Sequence, residues 1–161
     1  MADYYASTFP DPTKPQRVVD EKGARMRLSP IDYTSAAAVL NATDRVLLAR
    51  VPSNARLVDV GQVTYGAFGG AAAVSIGFDH VKMTAAERTA AASKLWSAQS
   101  VAAASSRKLM HAPVLADLPK RAWQLAGLTS DPGGEFDIVL TVTTATASIA
   151  TLHGEVTHTT D

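Results

Sequence analysis

Every second residue from Phe136 to Val142 is large and apolar: Phe136, Ile138, Leu140 and Val142. Side chains of an extended chain point alternately to its two faces, so this spacing builds a strand with one hydrophobic face. β-branched and aromatic residues, which fit a pleated surface, dominate the whole run over 136–144. Val74, Ile76 and Phe78 repeat the pattern over 73–79, and small residues there are expected to face outward. The runs 45–51 and 57–65 lean the same way, with Val58 and Val60 on one face of the second. Pro52-Ser53-Asn54 joins them with turn chemistry, tightly enough to predict antiparallel neighbours. Shorter runs at 122–126, 148–152 and 154–158 complete the set. Many short strands between turn signals, without a strand–helix rhythm, predict an all-β chain, an antiparallel β-sandwich or jelly-roll-like domain. No repeat of solenoid or propeller length interrupts that reading.

One helix is expected. Thr84 and Glu87 have capping-box spacing, and the alanine-rich stretch after them favours a short helix over 84–93. Its apolar face is thin and serines follow, so the chain should then run irregularly, packing Leu95 and Trp96 at the domain edge. The N-terminal residues read differently. Pro10, Pro12, Pro15 and Pro30 deny the backbone donors and bias their predecessors to extended shapes. Tyr4, Tyr5, Phe9, Val18, Val19, Met26 and Leu28 are sparse and off any helical period. Residues 1–35 are therefore expected to be an extended arm with a surface to lie on, and 36–161 the β domain.

The 161 residues suit one domain with a real core. Fifteen basic and fifteen acidic residues cancel, which argues against a general nucleic-acid or anionic-membrane binder. The balance hides an asymmetry: ten bases and five acids over 36–121, then five acids and no Lys or Arg over 122–161. These segments are expected to pair within one fold, or between copies in an assembly. No cysteine is present, so disulfides and thiolate chemistry are excluded. Without a membrane-length apolar run or a basic-then-apolar leader, a soluble intracellular domain is expected, with neither nucleic acid nor membrane as partner.

Catalytic patterns are missing. His80, His111, His153 and His158 show no zinc-protease spacing and read as exposed strand-end residues. Gly66-Ala67-Phe68-Gly69-Gly70 lacks the Lys-Ser/Thr ending of a phosphate loop and precedes a strand, so it reads as a strand connection. Asp131-Pro132-Gly133-Gly134-Glu135-Phe136-Asp137 is too short for an EF-hand loop and reads as a hairpin turn. No Gly-x-Ser-x-Gly elbow occurs. Trp96 and Trp123 read as core anchors. An enzyme is not expected, nor any cofactor or metal.

Two short motifs bring a resemblance. Arg50-Val51-Pro52-Ser53-Asn54-Ala55-Arg56-Leu57 followed by Asp59, and then Ser75-Ile76-Gly77-Phe78-Asp79, resemble the "V-P-x-x-A-R" turn and "S-x-G-x-D" strand end of small structural proteins of tailed bacteriophages. Over about residues 40–158 the chain is similar to head decoration (cement) proteins. That resemblance implies a jelly-roll-like domain, often a homotrimer, on the outside of the virion, clamping neighbouring major capsid protein subunits after synthesis in the host cytoplasm. Tyr4, Tyr5, Phe9, Arg17, Arg25 and Arg27 of the arm are then the expected capsid- or subunit-binding residues, since tyrosine and arginine bring contact area and fixed donors. The alternative is a receptor- or glycan-binding module of a fibre or tail, which would use Trp96 or Trp123.

Overall fold

A computed structural model describes residues 3–5, 25–35, 39–58, 62–110, 117 and 119–160. It forms two sheets packed face to face. In chain order the elements are β1 (Asp3–Tyr5), β2 (Arg25–Thr34), β3 (Arg45–Pro52), β4 (Arg56–Leu57), β5 (Gln62–Tyr65), β6 (Ala73–Asp79), α1 (Ala85–Ala91), β7 (Trp96–Ser100), β8 (Ser105–Lys108), α2 (Ala122–Leu125), β9 (Glu135–Thr144) and β10 (Thr151–Thr160). The first sheet has the order β1-β3-β9-β6-β7, and the second the order β2-β10-β5-β8 with β4 also against β10. From β2 onward the chain changes sheet at nearly every connection, and only β6 and β7 are neighbours both in sequence and in a sheet. Eight strand positions arranged this way are a jelly roll, with β4 and β5 as two pieces of one strand along β10. β1 adds a ninth, parallel to β3 at the sheet edge.

The inner faces make the core. Val74, Ile76 and Phe78 of β6 meet Phe136, Ile138, Leu140 and Val142 of β9, all buried. Phe78 and Phe136 sit edge to face at 6.1 Å, and Tyr65 does the same with Trp96 at 6.0 Å, the offset geometry aromatic quadrupoles prefer. The outer face of β6 is covered too, contrary to the expectation of small residues facing water. Ser75 is buried, and Gly77 lies so close to α1 that a Cβ there would stand 2.0 Å from the Ala91 carbonyl oxygen. Helix α1 has the expected capping box: the Glu87 amide donates to Thr84 Oγ1 at 3.3 Å and the Thr84 amide to the Glu87 carboxylate at 2.7 Å. The Thr84 amide first, and its hydroxyl at 2.8 Å second, both donating to the carboxylate, hold the Glu87 carboxyl below its ordinary pKa.

Four local expectations are corrected. Runs 45–51 and 57–65 are not neighbours: the turn at Pro52-Ser53-Asn54 carries the chain from β3 in the first sheet to β4 in the second, where His158 and Thr159 of β10 are the partners. Residues 122–125 are one helical turn, not a strand, and a four-residue apolar run does not distinguish the two by period. The serine-rich stretch after α1 holds two strands, β7 and β8, rather than an irregular excursion, although Leu95 and Trp96 are buried as expected. The 131–134 turn links α2 to β9, so it is no hairpin; Gly133 and Gly134 take the left-handed φ values of +68° and +79° it needs.

Of the expected arm over 1–35, Arg25–Thr34 form β2 and belong to the body, while residues 1–2 and 6–24 lie outside the described residues. β2 pairs with β10 along its whole length, from Arg25 opposite Thr160 to Thr34 opposite Thr151. Ile31 and Tyr33 are buried in the core. Pro30 fits because β2 is an edge strand, which can spare a ladder donor.

Candidate interaction surface

The sequence-predicted arm residues divide between the two sheets. Tyr4 and Tyr5 lie in β1, in register with Val46 and Leu47 of β3. Arg25 and Arg27 open β2, opposite Thr160 and His158, and Arg27 is exposed. Phe9 and Arg17 lie outside the described residues. The register leaves Tyr5 mid-sheet beside Leu47, and places Arg25 at the end of the sandwich that holds Pro52, Asp79 and Glu135.

Charge collects at this end. Asp79 is paired with Arg45, and Arg88 Nε lies 3.2 Å from its other oxygen. Arg50 donates to Asp137 at 2.7 Å, so the basic middle and acidic C-terminal parts of the sequence meet within one chain. Between α1 and the outer face of the first sheet lies an open groove of about 390 Å³, floored by Phe78 and Val139. A second, of about 330 Å³, lies between Arg50, His80, Lys82 and Glu135. Each has charges of both signs at its rim. Among the described residues no group of three or more His, Asp or Glu is placed to hold a metal ion.

The histidines differ from their expected surface positions. His80 is buried against Phe136, with ring centres 4.8 Å apart. Its Nδ1 accepts from the Lys82 amide at 3.1 Å, which leaves Nε2–H to donate to the Gly133 carbonyl at 3.0 Å. A neutral ring thus ties the 80–82 turn to the glycine loop. His158 is buried in β10, where burial first and the Arg27 charge second push its pKa below the ordinary value. Only His153 is exposed, beside Asp32 at 2.9 Å, and His111 lies outside the described residues. Trp96 is buried with Nε1 donating to the Lys108 carbonyl, and Trp123 packs half-buried on the core, as anchors rather than as a sugar platform.

The opposite end is different in kind. It is made of four connections: 35–44, 66–72, 101–104 and 145–150. They are bonded to one another. Phe68 donates its amide to Val101 O and receives those of Ala147 and Ser148; Thr146 and Leu40 exchange bonds; Ser35 and Ala150 do the same. Gly66–Gly70 is the strand connection expected, and Gly69 and Gly70 turn it at φ +72° and +57°. One charged residue occurs in these four connections, Asp44, which is buried and accepts the Asn41 amide at 3.0 Å. Val39 and Ile149 are exposed there. The four stretches, with Asp44 as their single charge, are visible in the sequence, but only the topology shows that they meet.

No family model matches the chain, and no curated protein matches it in sequence. Solved structures do. One chain of the Cyanophage Pam1 capsid asymmetric unit aligns with a TM-score of 0.55 at 11% identity, over 93% of this chain and 95% of that one. One chain of the capsid of Ralstonia phage GP4 aligns at 0.57 and 14% identity, over 99% of both. The fold is shared with two phage-capsid chains. At such identity the likeness is one of architecture, and it spans both partners nearly end to end.

Proposed function

We propose that this chain is a head decoration (cement) protein of a tailed phage, binding the outer surface of the assembled capsid and reinforcing contacts between major capsid protein subunits. The observation that carries this reading is the near-complete, two-way fold match to one chain in each of two phage capsids. The sequence resemblance points the same way. A ligand that binds only the assembled state stabilises it by mass action, so the role needs binding surface and no catalytic centre. In this reading the protein is a homotrimer at local three-fold positions, and its arm residues Tyr4, Tyr5, Phe9, Arg17, Arg25 and Arg27 lap an adjacent copy.

The test is a density-gradient separation of particles from the source phage, with this protein quantified by mass spectrometry across the fractions. Co-banding with the shell protein, at a fixed ratio in both full particles and tailless heads, is expected. A few copies confined to tailed particles would favour the fibre or receptor-binding alternative. Absence from every particle would overturn the virion assignment. The arm is tested separately by Phe9→Ala/Arg17→Ala, which should lower head occupancy while circular dichroism shows the β domain still folded. Deleting 1–30 would not serve, because it removes half of β2 from the second sheet.

A further inference from the structure

Resting on the decoration reading, we propose that the uncharged end of the sandwich is the face that seats on the shell, and that the shell surface it meets is likewise uncharged. At the far end Lys82, Glu87, Lys94, Asp131 and Glu135 are exposed. In the four near-end connections the single charge, Asp44, is already buried and bonded within its own turn, and Arg45, which follows it, is paired with Asp79. Taking an unpaired charge out of water costs several kcal/mol, so a surface with none to desolvate can be covered without that penalty. Val39 and Ile149, 47% and 51% exposed, supply aliphatic area at the tips of two of the loops. Bonds among Leu40, Phe68, Val101, Thr146 and Ala147 tie the described parts of these loops together before any partner arrives, which limits the ordering cost of docking. Electrostatic complementarity then constrains the partner. A charge on the shell facing this end would find no counter-charge, so the contact favours an uncharged, apolar patch. The charged end, turned outward, keeps the coated particle soluble.

The experiment is co-sedimentation of the full-length protein with heads of the source phage assembled without it. Two double variants add charge of opposite sign, Val39→Glu/Ile149→Glu and Val39→Lys/Ile149→Lys. A third, Val81→Glu/Lys94→Glu, alters the far end as a control, and circular dichroism and melting confirm that all three fold. Wild-type protein is expected to saturate the heads. Both near-end variants should raise the half-saturating concentration about 100-fold or more. The far-end control should stay within about threefold of wild type. Near-end variants that bind like wild type would overturn the assignment, as would one sign of charge binding tenfold better than the other, since that reports a charged partner. It would equally be overturned if light scattering shows the near-end variants splitting the wild-type oligomer while head binding is unchanged, because the end would then join copies of this chain. Heads left bare by the wild-type protein would overturn the decoration reading itself, a result distinct from the other three.

Discussion

Replacing Gly77 by alanine is expected to destabilise the fold by about 3 kcal/mol. The added Cβ would stand 2.0 Å from the carbonyl oxygen of Ala91, 2.4 Å from the carbonyl carbon of Ala92 and 2.7 Å from its oxygen. All three are backbone atoms, so no side chain can rotate away. Ordinary contact begins near 3.4 Å, so α1 or β6 must retreat by about 1.4 Å. That retreat strains what ties the helix down: the Leu95 amide bond to Ile76 O at 2.9 Å, the Arg88–Asp79 pair and the buried Ala91. Overpacking of this kind costs about 1–3 kcal/mol, and weakening one backbone hydrogen bond adds about 1. For a domain of this size the melting temperature should fall by about 6–12 °C. Gly133→Ala is the control, because nothing lies within 4 Å of its Cβ while its φ of +68° leaves only the left-handed strain, about 1–2 kcal/mol. Urea unfolding of the two variants beside wild type gives both values. If Gly77→Ala lies within about 0.5 kcal/mol of wild type, or costs less than Gly133→Ala, the close seating of α1 on β6 is refuted.

Further outcomes are expected elsewhere in the molecule. Because the His158 pKa is lowered on folding, the unfolded chain takes up a proton first as pH falls through the ordinary histidine value of 6.5. Stability should therefore drop across that range and level off below the folded pKa; in His158→Gln the drop, measured by urea titrations at several pH values, should be shallower by one proton. Phe136→Ala removes a fully buried ring that packs on Phe78 and His80, and should cost about 3–5 kcal/mol in the same urea assay. Thr84→Ala removes a helix cap worth about 1 kcal/mol, and amide exchange in α1 should quicken while exchange in β9 is unaffected.

The readable parts of this fold are those in which one strand carries its own burial pattern. β9 and the inner face of β6 are evident because their apolar residues alternate in a single short window. The outer face of β6 is not, since the helix that covers Gly77 lies further along the chain and its own apolar stripe is a single buried alanine. β2 escapes because its partner begins 117 positions later, and only Ile31 and Tyr33 among its polar neighbours point inward. His80 and His158 face the interior through contacts with distant residues, which no local pattern announces. The uncharged end is the intermediate case, written plainly in four places and meaningful only when they are brought together.

The position of β10 has a kinetic consequence. It is the central strand of the second sheet, pairing with β2 on one side and with β4 and β5 on the other, yet it leaves the ribosome after all of them. Until it emerges, β2 and β4 lack the strand they pair with and β5 has only β8 beside it, so Ile31 and Leu57 wait for it. Contacts spanning most of the chain also make folding slow, on the order of milliseconds to seconds. The second sheet thus closes only once β10 has emerged, and a nascent chain arrested before β10 offers unpaired strand edges to its neighbours.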